Sequence, residues 1–172
     1  MGGFVAQRLV ARAPGRVSAL ALISTDPGGP AAVQARPEDW ARLVDHAGSF
    51  REQATRLIAL LFPAGLAPEI DRQFGELVAE ARAAMAPATL AAQEAAIEAW
   101  HRAGGSGEAG GELPPTLVVH GSEDAVIPAA NAELLAARWP GARVELIDGA
   151  AHAVMAQEPE RVAGAINGLL GV

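Results

Sequence analysis

Two short apolar runs, at residues 116–119 and 142–147, each stop at a turn, and each turn leads into a helix-patterned segment, at 129–139 and 159–170. Strand then helix, twice in succession, predicts parallel strands joined by right-handed crossovers, and so an α/β architecture. The first run ends in His120-Gly121-Ser122-Glu123-Asp124-Ala125-Val126-Ile127-Pro128, a turn that presents a carboxylate. The second ends in Gly149-Ala150-Ala151-His152, a turn of small residues that presents a histidine. An acid and then a histidine, each at the carboxyl end of a strand, is the back half of an acid–base relay. The carboxylate would fix the imidazole tautomer, and an imidazole titrates close enough to neutrality to take and return a proton. Taken alone, Asp124 is equally an ordinary turn aspartate, and a lone histidine is more often structural than catalytic.

The front of the chain continues the alternation. Phe4, Val5, Leu9 and Val10 fall near helical spacing within 2–13, and Pro14-Gly15 ends that helix. Residues 17–25 form a continuous apolar run, read as a strand buried on both faces of a parallel sheet. Asp26-Pro27-Gly28-Gly29-Pro30 then breaks it. From 37 to 103 the composition shifts to alanine, arginine and glutamate with recurrent leucines, predicting three or four helices punctuated by Pro37, Pro63, Pro68 and Pro87. Proline at 37 and 87 suits helix first turns. The expected organisation is therefore 1–30 as core helix and strand, 31–103 as a helical insertion, 104–112 as a glycine-rich flexible linker, and 113–172 as the remaining core.

With these elements in this order, the chain resembles the C-terminal part of the α/β-hydrolase superfamily over nearly its whole length. Members carry their nucleophile in G-x-S-x-G, on a sharp turn between strand and helix, often continued as G-x-S-M-G-G. Met1-Gly2-Gly3 matches the end of that motif, and Gly121, Asp124 and Pro128 match a family G-x-x-D-x-x-x-P pattern. The resemblance implies three parallel strands with flanking helices and an inserted helical cap that roofs the site. It implies hydrolysis of an ester or other acyl bond of a small molecule by a Ser-His-Asp mechanism, with no cofactor and no metal. Asp124 would orient His152, His152 would be the base, and Met1 would stand where a backbone N–H helps form the oxyanion hole. The serine would immediately precede Met1, so the chain is expected to be truncated and inactive alone. Met-Gly-Gly is also what a start codon and two small residues give. Ala151 departs from the family turn G-x-G-H, and alanine would be strained there if the position is left-handed. The rival readings are a non-catalytic binding or assembly fragment, and a C-terminal half completed by a separate N-terminal piece.

No other residue offers the missing chemistry. Ser18 and Ser24 lie on or at the end of the 17–25 run, Ser49 and Ser106 in the insertion and linker, and Ser122 on the acid turn; none is expected on a strained strand–helix elbow. His46, His101 and His120 lack metal-ligand spacing, and His120 is expected to pack. Trp40, Trp100, Phe50, Phe62 and Phe74, with Leu57, Leu60 and Leu61, are expected to glue helices together rather than line a pocket. A net charge of -7 argues against nucleic acid and anionic membrane as partners. No apolar run approaches the ~20 residues of a membrane span. The chain has no cysteine, hence no disulfide or thiol nucleophile. Arg8, Arg12 and Arg16 ahead of 17–23 read as part of an amphipathic helix rather than a secretory leader, so a cytoplasmic protein is expected. Strand 17–25, lacking an upstream neighbour, would expose one edge, a template for self-association and a source of marginal stability in isolation.

Overall fold

The computed structural model of the chain describes residues 1–105 and 113–172. Most of the glycine-rich linker expected at 104–112 lies outside the described residues. Helix α1, Gly2–Arg12, buries Phe4, Gln7 and Val10 as one stripe. A single 3-10 turn, Pro14–Arg16, leads to strand β1, Leu20–Ile23. This strand is shorter than the expected 17–25. Its neighbour is preceded by Pro114-Pro115, which have no N–H to donate, and the pairing begins where the Leu20 N–H reaches the Pro115 carbonyl at 2.9 Å. At the other end Ser24 turns to φ 45°, out of the β region. Nor is β1 buried on both faces: Leu20 and Leu22 are buried, whereas Ala21 is exposed.

Four helices separate β1 from the next strand: α2 (Pro37–Leu43), α3 (Phe50–Leu61), α4 (Ala67–Ala83) and α5 (Pro87–Arg102). Pro37, Pro68 and Pro87 all sit in helix first turns, where a missing N–H costs nothing. Ser49 and Glu52 cap α3 reciprocally. Arg51 of α3 forks onto both carboxylate oxygens of Asp71 in α4, at 2.8 and 2.9 Å.

The chain then returns to the sheet through β2 (Thr116–Gly121), α6 (Asn131–Arg138), β3 (Arg143–Ile147), the short α7 (Val154–Gln157) and α8 (Pro159–Leu170). The strands are parallel in the order β1-β2-β3, with Leu22 beside Val118 and Val118 beside Val144. Every residue of β2 is buried, as a central parallel strand requires. Val118 and its neighbour Leu22 face Val10, Leu135 and Trp139 of the layer made by α1 and α6. Leu117 and Val119, with Ile147 of β3, face Val154 and Val162 of the layer made by α7 and α8. Fully burying each of these side chains stabilises the fold by about 1.5–3 kcal/mol.

Around α1 the packing is tight below and open outside. A Cβ on Gly3 would come within 2.6 Å of Thr25 Cβ, so only glycine lets α1 lie this close to the end of β1. The outer side of α1 exposes Met1, Val5 and Leu9. Among the described residues no strand pairs with the outer edge of β1. Gln7 Oε1, Ser24 Oγ and Thr25 Oγ1 are buried without a hydrogen-bond partner.

Candidate active site

The turns after β2 and β3 are laced together. The Ser122 N–H donates to the Ile147 carbonyl at 2.9 Å and the Glu123 N–H to the Ala150 carbonyl at 2.8 Å. Gly121 permits this approach, since a Cβ there would run into the carbonyl oxygens of Ala150 and Ala151. The left-handed residue of the histidine turn is Gly149, at φ 69°, and Ala151 is not left-handed. The strain anticipated for alanine at 151 is therefore absent. Instead the Ala151 N–H is held by Gln157 Oε1 at 2.9 Å, and the Ala153 N–H reaches across to the Leu61 carbonyl of α3.

This lacing brings Asp124 and His152 together. Asp124 Oδ2 lies 2.8 Å from His152 Nδ1, and Asp124 Oδ1 accepts the Val126 and Ile127 N–H groups at 2.9 and 2.8 Å. A carboxylate only accepts, so Nδ1 carries a proton, and in the neutral ring the lone pair is then on Nε2. No hydrogen bond engages Nε2 among the described residues. The Asp124 side chain is fully buried and that of His152 is 26% exposed. His120 packs as expected, fully buried, but it also enters the acid's surroundings: its Nε2–H donates to the Ile127 carbonyl at 2.7 Å and lies 3.4 Å from Asp124 Oδ2. Its Nδ1 is buried without a partner.

Burial alone would raise the Asp124 pKa, but hydrogen bonds from His120, His152 and the Ile127 amide outweigh it and hold the carboxyl below its ordinary 3.8. A depressed carboxyl binds its proton more readily in the unfolded chain. The stability it supplies is therefore complete above the ordinary value and drains as pH falls through the lower, folded one. Urea unfolding followed from about pH 6 to about pH 3 should show a steeper loss of stability for the native chain than for Asp124→Asn. Equal slopes would remove Asp124 from the acid response.

His152 opens onto a cavity of about 460 Å³ whose wall includes Met1, Thr25, Trp40, Ile97 and Val126. Met1 caps α1 at this cavity, and burial lowers the pKa of its amino group from 8.0 while Asp26 pulls it the other way. The aromatic residues divide: Trp40 lines the cavity, Trp100 is buried and stacks on Phe4 with ring centroids 4.8 Å apart, and Phe50 and Phe74 are largely exposed. Leu61 also lines the cavity, whereas Leu60 is buried in the helical layer. Ser24 has a left-handed backbone, but no helix follows it directly, it is 8% exposed and it makes no hydrogen bond to His152, so it is not a strand–helix elbow serine. Sequence reasoning missed a second pair. Asp26 Oδ2 lies 3.2 Å from His101 Nε2, and both residues line the same cavity. Asp26 read only as a turn breaker, and nothing in the spacing of 26 and 101 signals their contact. Among the described residues no three acidic or histidine side chains converge to hold a metal ion, and no helix is long and apolar enough to cross a membrane.

Helices on both faces of a parallel sheet, with acid and histidine turns meeting at its carboxyl end, define the class of fold. The chain belongs to the α/β-hydrolase family: the family model described as alpha/beta hydrolase fold matches residues 1–159. No curated protein matches it. Among solved structures it is similar to a hydrolase from Pseudomonas aeruginosa PA01, at 26% identity and a TM-score of 0.73 over 99% of this chain and 62% of that one. It is similar to a meta-cleavage product hydrolase from Pseudomonas fluorescens IP01, at 17% identity and a TM-score of 0.77 over 98% of this chain and 61% of that one. An enol-lactonase from Burkholderia xenovorans LB400 aligns at 20% identity and a TM-score of 0.76, over 100% of this chain and 63% of that one. The last two likenesses speak to the fold alone. The chain spans about three fifths of the length of these structures.

Proposed function

We propose that the chain is the C-terminal portion of an acyl hydrolase in which Asp124 orients His152, and His152 activates a serine placed immediately before Met1 in a longer form. The carrying observation is the 2.8 Å contact between Asp124 and His152 Nδ1, on a cavity that His152 and Met1 both line. In the proposed reaction the serine hydroxyl attacks the acyl carbonyl while His152 Nε2 takes its proton. The Met1 N–H, an amide once a residue precedes it, steadies the oxyanion. His152 then returns the proton to the leaving group, and a water activated at the same nitrogen releases the acid. Helices α2–α5, which lend Trp40, Leu61 and Ile97 to the cavity wall, act as the cap that selects a small-molecule acyl substrate.

The test compares two polypeptides in p-nitrophenyl butyrate hydrolysis: the 172-residue chain, and a form extended by the residues encoded upstream in the same frame. The extended form is expected to turn over and the 172-residue chain to match buffer. His152-dependent turnover by the unextended chain would misplace the nucleophile, and silence from both would reject acyl hydrolysis. A second reading, a binding or assembly fragment, draws on the open edge of β1 and the exposed Val5 and Leu9 of α1. Such a surface suits either another copy of the chain or a separate N-terminal piece. A defined oligomer in size-exclusion chromatography, with no turnover in any form, would favour self-assembly; activity restored by co-expressing a separate N-terminal piece would favour complementation.

A further inference from the structure

Asp26 and His101 form a second acid–imidazole pair on the cavity wall, built on different elements from the first. Asp26 follows β1 and is 1% exposed. Its Oδ1 accepts the Trp100 Nε1–H at 2.9 Å and the Gly28 N–H at 2.7 Å, leaving Oδ2 to His101 Nε2 at 3.2 Å. The Phe4 ring meets the His101 ring edge-on, with centroids 6.3 Å apart. The imidazole is thus held by a carboxylate at one nitrogen and by an aromatic ring beside it. Since the carboxylate can only accept, His101 Nε2 carries a proton and Nδ1 is the free nitrogen. That Nδ1 bonds to nothing among the described residues and, unlike His120 Nδ1, is not sealed from solvent.

Two imidazoles therefore face one cavity with opposite nitrogens free: Nε2 of His152 and Nδ1 of His101. Asp26 follows β1, His101 ends α5 and His152 follows β3, so the two imidazoles reach the cavity from different elements. Much of the cavity's lining is apolar, including Trp40, Ile97 and Val126, with Glu98 and Arg102 as its other charged side chains besides Asp26. A hydroxyl suits the free Nδ1 in either protonation state, because it donates to a neutral ring and accepts from a charged one. A carbonyl suits only the charged ring, and a hydrocarbon suits neither.

We infer that His101 is a substrate-contacting residue that selects acyl compounds with an apolar body and a hydroxyl placed to meet His101. This rests on the reading of the cavity as the acyl site. Octanoate and 8-hydroxyoctanoate, matched product acids differing only in the distal hydroxyl, are the probes, titrated into the 172-residue chain while both imidazoles are followed by 15N NMR. Both acids should perturb His152. Only the hydroxy acid should perturb His101 Nδ1, and it should bind about fivefold tighter, the scale of one hydrogen bond to a neutral partner. His101→Phe should erase the preference, and His101→Gln should restore part of it. If His152 responds to both acids with equal affinity and His101 stays silent, the inference is overturned and the acyl site stands. If neither imidazole responds to either acid, the acyl-site reading falls and takes the inference with it. The native-chain spectra decide between these outcomes even if a variant fails to fold.

Discussion

Replacing His152 by alanine in a form that carries the nucleophile lowers kcat/KM for a p-nitrophenyl ester by about 10⁴–10⁶. The loss is this large because one nitrogen serves every proton transfer in the proposed cycle, first as base and then as acid. The fold should survive the change. His152 is partly exposed, and its one hydrogen bond among the described residues goes to Asp124. Asp124 keeps the Val126 and Ile127 amides and the nearby His120 after that bond is gone. Activity should therefore vanish with little change in the urea midpoint. A loss under about tenfold would assign His152 a merely structural role.

Asp124→Asn should lower kcat by about 10⁴ with KM little changed. The two backbone N–H groups on Oδ1 hold the asparagine carbonyl oxygen in place, so its NH₂ must take the Oδ2 position. That amide would then point a donor at His152 Nδ1, where the carboxylate offered an acceptor. The imidazole is driven to the other tautomer, with the proton on Nε2, and can no longer accept one there. The same NH₂ also faces the His120 Nε2–H, donor against donor. Full activity in this variant would show that the pair is not a relay.

Much of the core was legible because its signals are local. The runs that became β2 and β3 are bounded by turns, and Pro159–Leu170 forms a helix where its pattern places one. Asp124 and His152 stood out because each ends a strand, and parallel neighbours carry their carboxyl-end turns side by side. The length of β1 was not legible, since it depends on two prolines almost a hundred residues away and on the backbone of Ser24. Nor was the cavity. Trp40 and Trp100 both lie in helices of the insertion, yet one lines the cavity and the other stacks on Phe4, a difference that only tertiary packing sets. The pairing of Asp26 with His101 has the same origin: the acid follows β1, the imidazole ends α5, and only tertiary packing joins them.

Labelling the upstream-extended chain with a fluorophosphonate, followed by peptide mass mapping, tests the proposed relay most directly. The predicted result is a single adduct on a serine joined to the nitrogen of Met1, formed at least a hundredfold more slowly, on the order of a lost general base, in His152→Ala. An adduct on Ser24, Ser122 or any other residue, or labelling indifferent to His152, would contradict it.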